Sequence, residues 1–194
     1  MSPNWLQSTV MSECTLITGG ATGSDEYWQT LASERGIAVP VMSFEEHKPV
    51  KVPGARVEVL STDQLKEADE IVKMANERLN RTFPCKTAYA SNLIRRNYHI
   101  INNATTVVAI GVIEKDQITG GTAWGVVMAD LMEKGSYVFD MTGSKWYKYR
   151  AGKFDQCCAP TLRGGGIFAG RGSRQLVING KRAIAGVLDS INHA

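Results

Sequence analysis

An α/β fold built on a doubly wound, mainly parallel sheet with helices on both faces is what the sequence predicts. Three observations carry that expectation. Short apolar runs alternate along the chain with stretches of helical period. The run TTVVAI, 105–110, is β-branched and apolar without alternation, as in a strand covered on both faces. Gly-bearing turns recur just after such runs or just before helical stretches, where an open parallel sheet places its ligand crevice.

The elements follow in order. Thr15 to Thr18 reads as a short buried strand. Ser24 to Arg35 reads as a helix, capped by Ser24 or Asp25, with Tyr27, Trp28, Leu31 and Ala32 on one face and Gly36 as its stop. IAVPVM, 37–42, is a second strand, and Pro40 argues for a place near a sheet edge. Glu45 to Leu60 has two further prolines and no clear period, which predicts a loop. Ser61 to Asn80 predicts one long helix: Ser61 and Gln64 make a capping box, and Leu65, Ala68, Val72, Ala75 and Leu79 form a stripe. Ser91 to Asn103 and Gly121 to Lys134 read as helices, with SYVFD, 136–140, as a strand after the second. The region 143–166 reads as irregular, although SKWYKYRAGKF, 144–154, fits a hairpin with one aromatic face packed down. IFAG, 167–170, is a last strand, and Asn179 can cap a last helix striped by Ile184, Val187, Leu188 and Ile191.

The 194 residues suit a single domain, 1–194, with 43% hydrophobic and 21% charged residues and a net charge of +3. That balance fits an anionic small ligand and argues against a general nucleic-acid binder. No apolar run approaches a membrane span, and the first ten residues lack the form of a signal peptide, so the expected compartment is the cytoplasm. Cys14, Cys85, Cys157 and Cys158 show no zinc-like spacing; reduced thiols are expected, and no metal or cofactor is called for.

The turns Gly19-Gly20-Ala21-Thr22-Gly23, Gly111, Gly120-Gly121-Thr122 and Gly170-Arg171-Gly172-Ser173-Arg174 are the candidate ligand edge. Helix N-termini offer free N–H groups to phosphate. Thr22, Ser24, Thr122 and Ser173 add hydroxyls, and Arg171 and Arg174 add bidentate charge. Each turn alone is commonly structural; four together point to a nucleotide-like ligand.

The same residues carry a resemblance. ITGGATGSDEYWQTLASERGI, 17–37, resembles the Gly-rich segment of the SLOG superfamily, a Rossmann-like group, in the S-G-G-A-x-G-x-D form of proteins related to the DNA-processing protein DprA. RNYHIINNATTVVAI with ITGGTAWGVVMA resembles the later half of that fold, and its second turn is similar to the phosphate motif of LOG-type phosphoribohydrolases. FAGRGSRQLVINGKRAI, 168–184, resembles a segment that comes first in many relatives and last here, which implies a circular permutation or a C-terminal copy. The resemblance implies a nucleotide-type ligand: an ADP-ribose-like, cyclic or NAD-derived signal held by a sensor or sequestering protein, a nucleoside monophosphate cleaved at its N-glycosidic bond, or, in a DprA-like member, single-stranded DNA. It also implies homo-oligomers.

A catalytic group is hard to find. Where the phosphoribohydrolases carry P-G-G-x-G-T and then Glu, this chain has Thr119, Ala123-Trp124 and Val127. Asp25 and Glu26 suit helix capping, Asp130 a solvent face, and Asp140 either a ribose hydroxyl or a turn. His47 and His193 read as solvated and His99 as half-buried. Trp124 can stack on a base or pack in the core, and Arg96-Asn97 can meet phosphate or ribose, with a surface cation as the plainer role for Arg96. The expected function is therefore binding, at Gly19, Gly20, Thr22, Gly23, Ser24, Asp25, Arg96, Asn97, Gly111, Gly120, Gly121, Thr122, Trp124, Asp140 and Gly170 to Arg174, with no catalytic residue assigned.

Overall fold

The computed structural model describes residues 14–193. Its central sheet has six strands, β1 (Thr15–Ile17), β4 (Thr106–Gly111), β7 (Gly135–Asp140), β8 (Lys145–Arg150), β9 (Lys153–Cys157) and β10 (Ile167–Gly172), in the order β1-β10-β4-β7-β8-β9. β1, β10, β4 and β7 run parallel, while β8 and β9 add an antiparallel hairpin. The last strand thus lies between the first strand and β4.

β2 (Val39–Phe44) and β3 (Ala55–Leu60) pair in parallel and rest against β1 through two bridges. Pro40 explains the weak join. Leu16 N–H donates to Ala38, Thr18 N–H to Pro40 and Met42 N–H to Thr18; between them Pro40 has no N–H to continue the ladder. Pro40 therefore marks a seam, and the sheet edge expected there lies at β3. β3 also replaces the loop expected over 45–60, since only the segment before Ala55 is irregular. Counted from β10, the parallel strands run 4-3-2-1-5-6, a doubly wound order that reverses between β10 and β4.

Alternation along the strands feeds two faces. Leu16, Val41, Val108, Ile110 and Phe168 pack on one face against α1 (Ser24–Glu34) and α6 (Ile178–Asp189), where Trp28 meets Phe168 edge-on at 6.2 Å. Ile17, Val107, Ala109, Val138 and Ala169 pack on the other against α2 (Thr62–Glu67), α3 (Asp69–Leu79), α4 (Ala88–Asn102) and α5 (Thr122–Leu131). A small hairpin, β5 (Ile113–Glu114) with β6 (Gln117–Ile118), precedes α5.

Several boundaries differ from the sequence expectation for identifiable reasons. The helix expected over 61–80 changes course at Ala68, although its capping box forms. His99 Nε2 donates to Gln64 O at 2.7 Å, the carbonyl that Ala68 N–H would otherwise use, and Ala68 turns to Leu65 O. His99 is accordingly buried, not half-buried. α4 starts earlier than Ser91, because Thr87 caps it through Ala90 N–H. Residues 145–157 are ordered strands rather than irregular chain; Tyr149 is buried, and Trp146 meets Phe139 at 5.2 Å. Asn179 does not cap α6: its side-chain N–H groups donate to Met141 O and Ser144 Oγ.

Gly170 lies within β10 and is set by packing. A Cβ there would stand 2.6 Å from Leu16 and 2.7 Å from the Trp28 ring. Gly170→Ala should destabilise the fold by about 1–3 kcal/mol through overpacking. A lowered urea midpoint with an unchanged slope checks this.

Candidate functional site

One large cavity, about 750 Å³, opens at the carboxyl ends of β1 and β10 and against the N-terminus of α5. That is the volume range of small-molecule sites. It is also the crevice beside the β10/β4 switch in strand order. Gly20, Thr22 and Asp25 line it from the first turn and α1, and Arg171 to Arg174 from the end of β10. Gly120, Gly121, Thr122 and Trp124 line it from the entry to α5, and Arg96 and Asn97 from α4.

The remaining expected residues do other work. Gly19 O accepts from Arg96 Nη1 at 2.8 Å, and a Cβ on Gly19 would meet that guanidinium at 2.5 Å. Gly23 has φ +85, and a Cβ there would strike the Arg174 carbonyl, so two chain segments cross where only glycine fits. Ser24 donates from both N–H and Oγ to Ser173 O. Neither Ser24 nor Asp25 caps α1. Gly111 packs on Ile118, and Gly170 on Trp28. Asp140 takes the turn role: its carboxylate accepts N–H bonds from Ile113, Thr142 and Gly143. Asp130 is not on a solvent face; it pairs with Arg78 and accepts Ala151 N–H at 2.8 Å.

The centre of the cavity is a buried cluster of Asp25, Arg96 and Arg171. Arg96 is 4% exposed and Arg171 6% exposed, which overturns the reading of Arg96 as a surface cation. No Asp25 oxygen comes within ion-pair distance of either guanidinium. Burial raises the Asp25 carboxyl above its ordinary value, against the pull of Arg171, Arg96 and the backbone N–H groups of Ala21 and Gly172. Those two N–H groups, expected for a ligand, face the protein's own carboxylate. Burial also draws Arg96 down to about 10, with Asp25 opposing; Arg171 shifts the same way. Both remain cationic at neutral pH.

Neither arginine is satisfied. Arg171 Nε and Nη1 and Arg96 Nε are buried without a hydrogen-bond partner among the described residues. Such groups are costly unless something accepts from them. Arg171 reaches its place because residue 125 is glycine: a Cβ there would stand 2.7 Å from Nη1 and 3.1 Å from Nε. Beside it, α5 follows Gly121, an N-cap with no side chain, which leaves its first N–H groups open to an anion.

Trp124 takes the plainer of its expected roles, packing in the core, and also reaches the cavity wall. It is buried, packs on Phe83 at 6.4 Å, lies under the Arg81 guanidinium at 6.0 Å, and still lines the cavity. Sequence reasoning missed Arg81, Cys85, Tyr89, His47 and Lys48, which also line it. The last two arrive on the segment after β2, which Val50 N–H ties to Gly20 O at 2.8 Å. No local pattern signals that tie. Five cationic side chains, Lys48, Arg81, Arg96, Arg171 and Arg174, thus face one carboxylate. The basic-aromatic hairpin β8–β9 contributes nothing to the cavity lining, so it is no lid.

His47 is half-buried rather than solvated. Its ring stacks on Phe44 at 5.4 Å, with Nε2 3.2 Å from Arg96 Nη1 and Nδ1 3.0 Å from Ser43 Oγ. Arg96 Nη1 also lies 3.5 Å from Nδ1, so the guanidinium approaches both ring nitrogens. Burial first, then Arg96 and Arg174, lower this imidazole to about 4. The unfolded chain protonates it near 6.5, so its contribution to stability is complete above 6.5 and is lost as pH falls toward 4. His47→Gln should therefore lose less stability than the parent between pH 7 and pH 5, measured as the difference in urea midpoints.

The four cysteines are free, and the described residues hold no cluster of His, Cys, Asp or Glu arranged for a metal ion. No described helix is long and apolar enough to cross a membrane. No family model matches the sequence, and no curated protein matches it. A solved structure from Syntrophus aciditrophicus SB, described as "Putative molybdenum carrier protein", is similar to this chain with a TM-score of 0.54. The match covers 93% of this chain and 95% of that one at 10% sequence identity. At that identity the likeness establishes the α/β fold, a mostly parallel sheet flanked by helices.

Proposed function

We propose that the chain binds a nucleotide-type metabolite, ADP-ribose-like, cyclic or NAD-derived, and acts as a sensor or sequestering protein. The observation that carries this reading is the pair of buried arginines, Arg96 and Arg171, with unpaired guanidinium nitrogens at the wall of a cavity of about 750 Å³. Phosphoryl oxygens supply the acceptors those nitrogens lack, and the uncapped start of α5 adds N–H donors. Arg81, held over the Trp124 ring, gives a planar base a guanidinium face on which to stack. The resemblance to SLOG proteins supports the same ligand class.

A second reading is N-glycosidic hydrolysis. It rests on Asp25, the one carboxylate among the described residues that line the cavity, whose raised carboxyl has the character of a general acid. Asp130 and Asp140 are engaged elsewhere and support no such step. Single-stranded DNA binding finds no support in the cavity, since the basic-aromatic hairpin lies at the far end of the sheet.

Native mass spectrometry with AMP, ADP-ribose, NAD, cyclic ADP-ribose isomers and molybdate, followed by chromatography of the recovered ligands, tests these readings. Molybdate belongs in the panel because the similar structure's description links this fold to molybdenum. A nucleotide retained and recovered intact supports binding. Free base and sugar phosphate support hydrolysis. Retention of molybdate alone overturns both.

Two glycine variants test the site. At Gly121 a side chain would meet nothing within 4 Å. Gly121→Asp should leave the fold intact and abolish binding by placing a carboxylate at the α5 N-terminus. Gly125→Ala should keep near-parental stability, because alanine suits a helix interior. It should weaken binding about tenfold or more by displacing Arg171. Affinity and urea midpoint, read on each variant, separate the two effects.

A further inference from the structure

We infer that His47 belongs to the anion site and takes up a proton from solvent when an oxyanion binds. The inference rests on the anion reading of the cavity and adds to it a residue and a pH dependence. The ring is fixed: it stacks on Phe44 of β2, holds Nδ1 3.0 Å from Ser43 Oγ, and has Arg96 Nη1 of α4 3.2 Å from Nε2 and 3.5 Å from Nδ1. It lines the cavity beside Lys48 of its own segment.

The charges around it come from every element packed there. Arg96 faces it from α4, where Tyr89 packs on Phe44 and lines the same cavity, and Arg174 from the connection after β10. Asp25 of α1 and Arg171 of β10 stand behind Arg96. Glu45 and Glu46, on its own segment, are exposed. The neighbourhood is thus cationic, and that field, together with burial, keeps the empty site's imidazole neutral.

A bound oxyanion reverses the balance. It neutralises Arg96, Arg174 and Lys48 together and offers an acceptor within the same cavity. The ring then gains a proton from solvent and donates to the oxyanion as an imidazolium; no other bond forms or breaks. By linkage, anion affinity rises as pH falls below the bound-state midpoint, by up to about tenfold per pH unit. The neutral ring of the empty site is a poor partner for the anion; the charged ring of the filled site is a good one.

Proton NMR of the full chain, following the histidine ring signals through a pH titration in chloride and then in sulfate at matched ionic strength, tests this. Sulfate stays a dianion throughout. The His47 midpoint should move up by about one pH unit or more, a tenfold gain in proton affinity. His47→Gln keeps an acceptor for Arg96 and cannot titrate; its sulfate affinity should lack the rise at low pH that the parent shows. A His47 midpoint unmoved by sulfate overturns the inference, as does parental pH dependence in His47→Gln. Nucleotides that bind no better than sulfate while His47 responds would sink the nucleotide reading and leave this one standing. Nucleotides that bind while His47 stays unmoved would do the reverse.

Discussion

Two guanidinium groups buried at the carboxyl edge of a parallel sheet organise this molecule. Arg171 comes up from the end of β10 and Arg96 across from α4, and both lie at least nine-tenths out of solvent. Desolvating two such cations opposes folding, and one carboxylate, Asp25, offsets only part of it. The neighbouring glycines follow from this constraint. Gly125 and Gly19 leave room for the two guanidiniums, and Gly172 lets β10 approach Ile110 O and Ser24. Several glycines that suggest a backbone cradle for phosphate instead clear space for the side chains that would hold it. On the proposed reading, an anion would therefore be held by arginine and by one helix start, less by bare loop amides.

The chain order is unusual for such a sheet, and the site depends on it. β10 inserts between β1 and β4, so the last strand and the first one share an edge of the cavity. Ser24 N–H and Oγ both close on Ser173 O, which stitches the start of α1 to the end of β10. Trp28 reinforces the join through its indole N–H to Arg171 O and its ring against Phe168. These contacts hold the ends of the chain together across nearly its whole length. The same join presents Asp25 and Arg171 to one another.

The segment after β2 completes the wall. Its prolines give it no periodic signal, yet Val50 N–H binds Gly20 O, and His47 and Lys48 arrive at the cavity with it. His47 then acquires partners on both ring nitrogens from β2 and α4. Arg81, which bonds Gly120 O, crosses from the end of α3 to the entry of α5 in the same manner. Each is a long-range contact between segments that local patterns describe separately.

By itself the sequence determined the fold class, the placement of most elements, and the sheet edge at which the large cavity opens. Apolar runs without alternation require cover on both faces, and a strand-to-helix turn in a parallel sheet can only lie at one edge. Gly20, Thr22, Arg96, Gly121, Trp124, Arg171 and Arg174 were legible as candidates for that edge because residue type and local position suffice to nominate them. Tertiary structure alone decided what each does. Asp25, written like a helix cap, is the counter-charge of two buried arginines; Asp140, written like a ribose partner, staples a turn. His99, by capturing Gln64 O, bends a helix that local pattern makes continuous. The reason is common to all of them. Propensity and periodicity act over a few neighbouring residues, whereas burial, charge pairing and competition for a carbonyl depend on segments that meet only when the sheet is assembled.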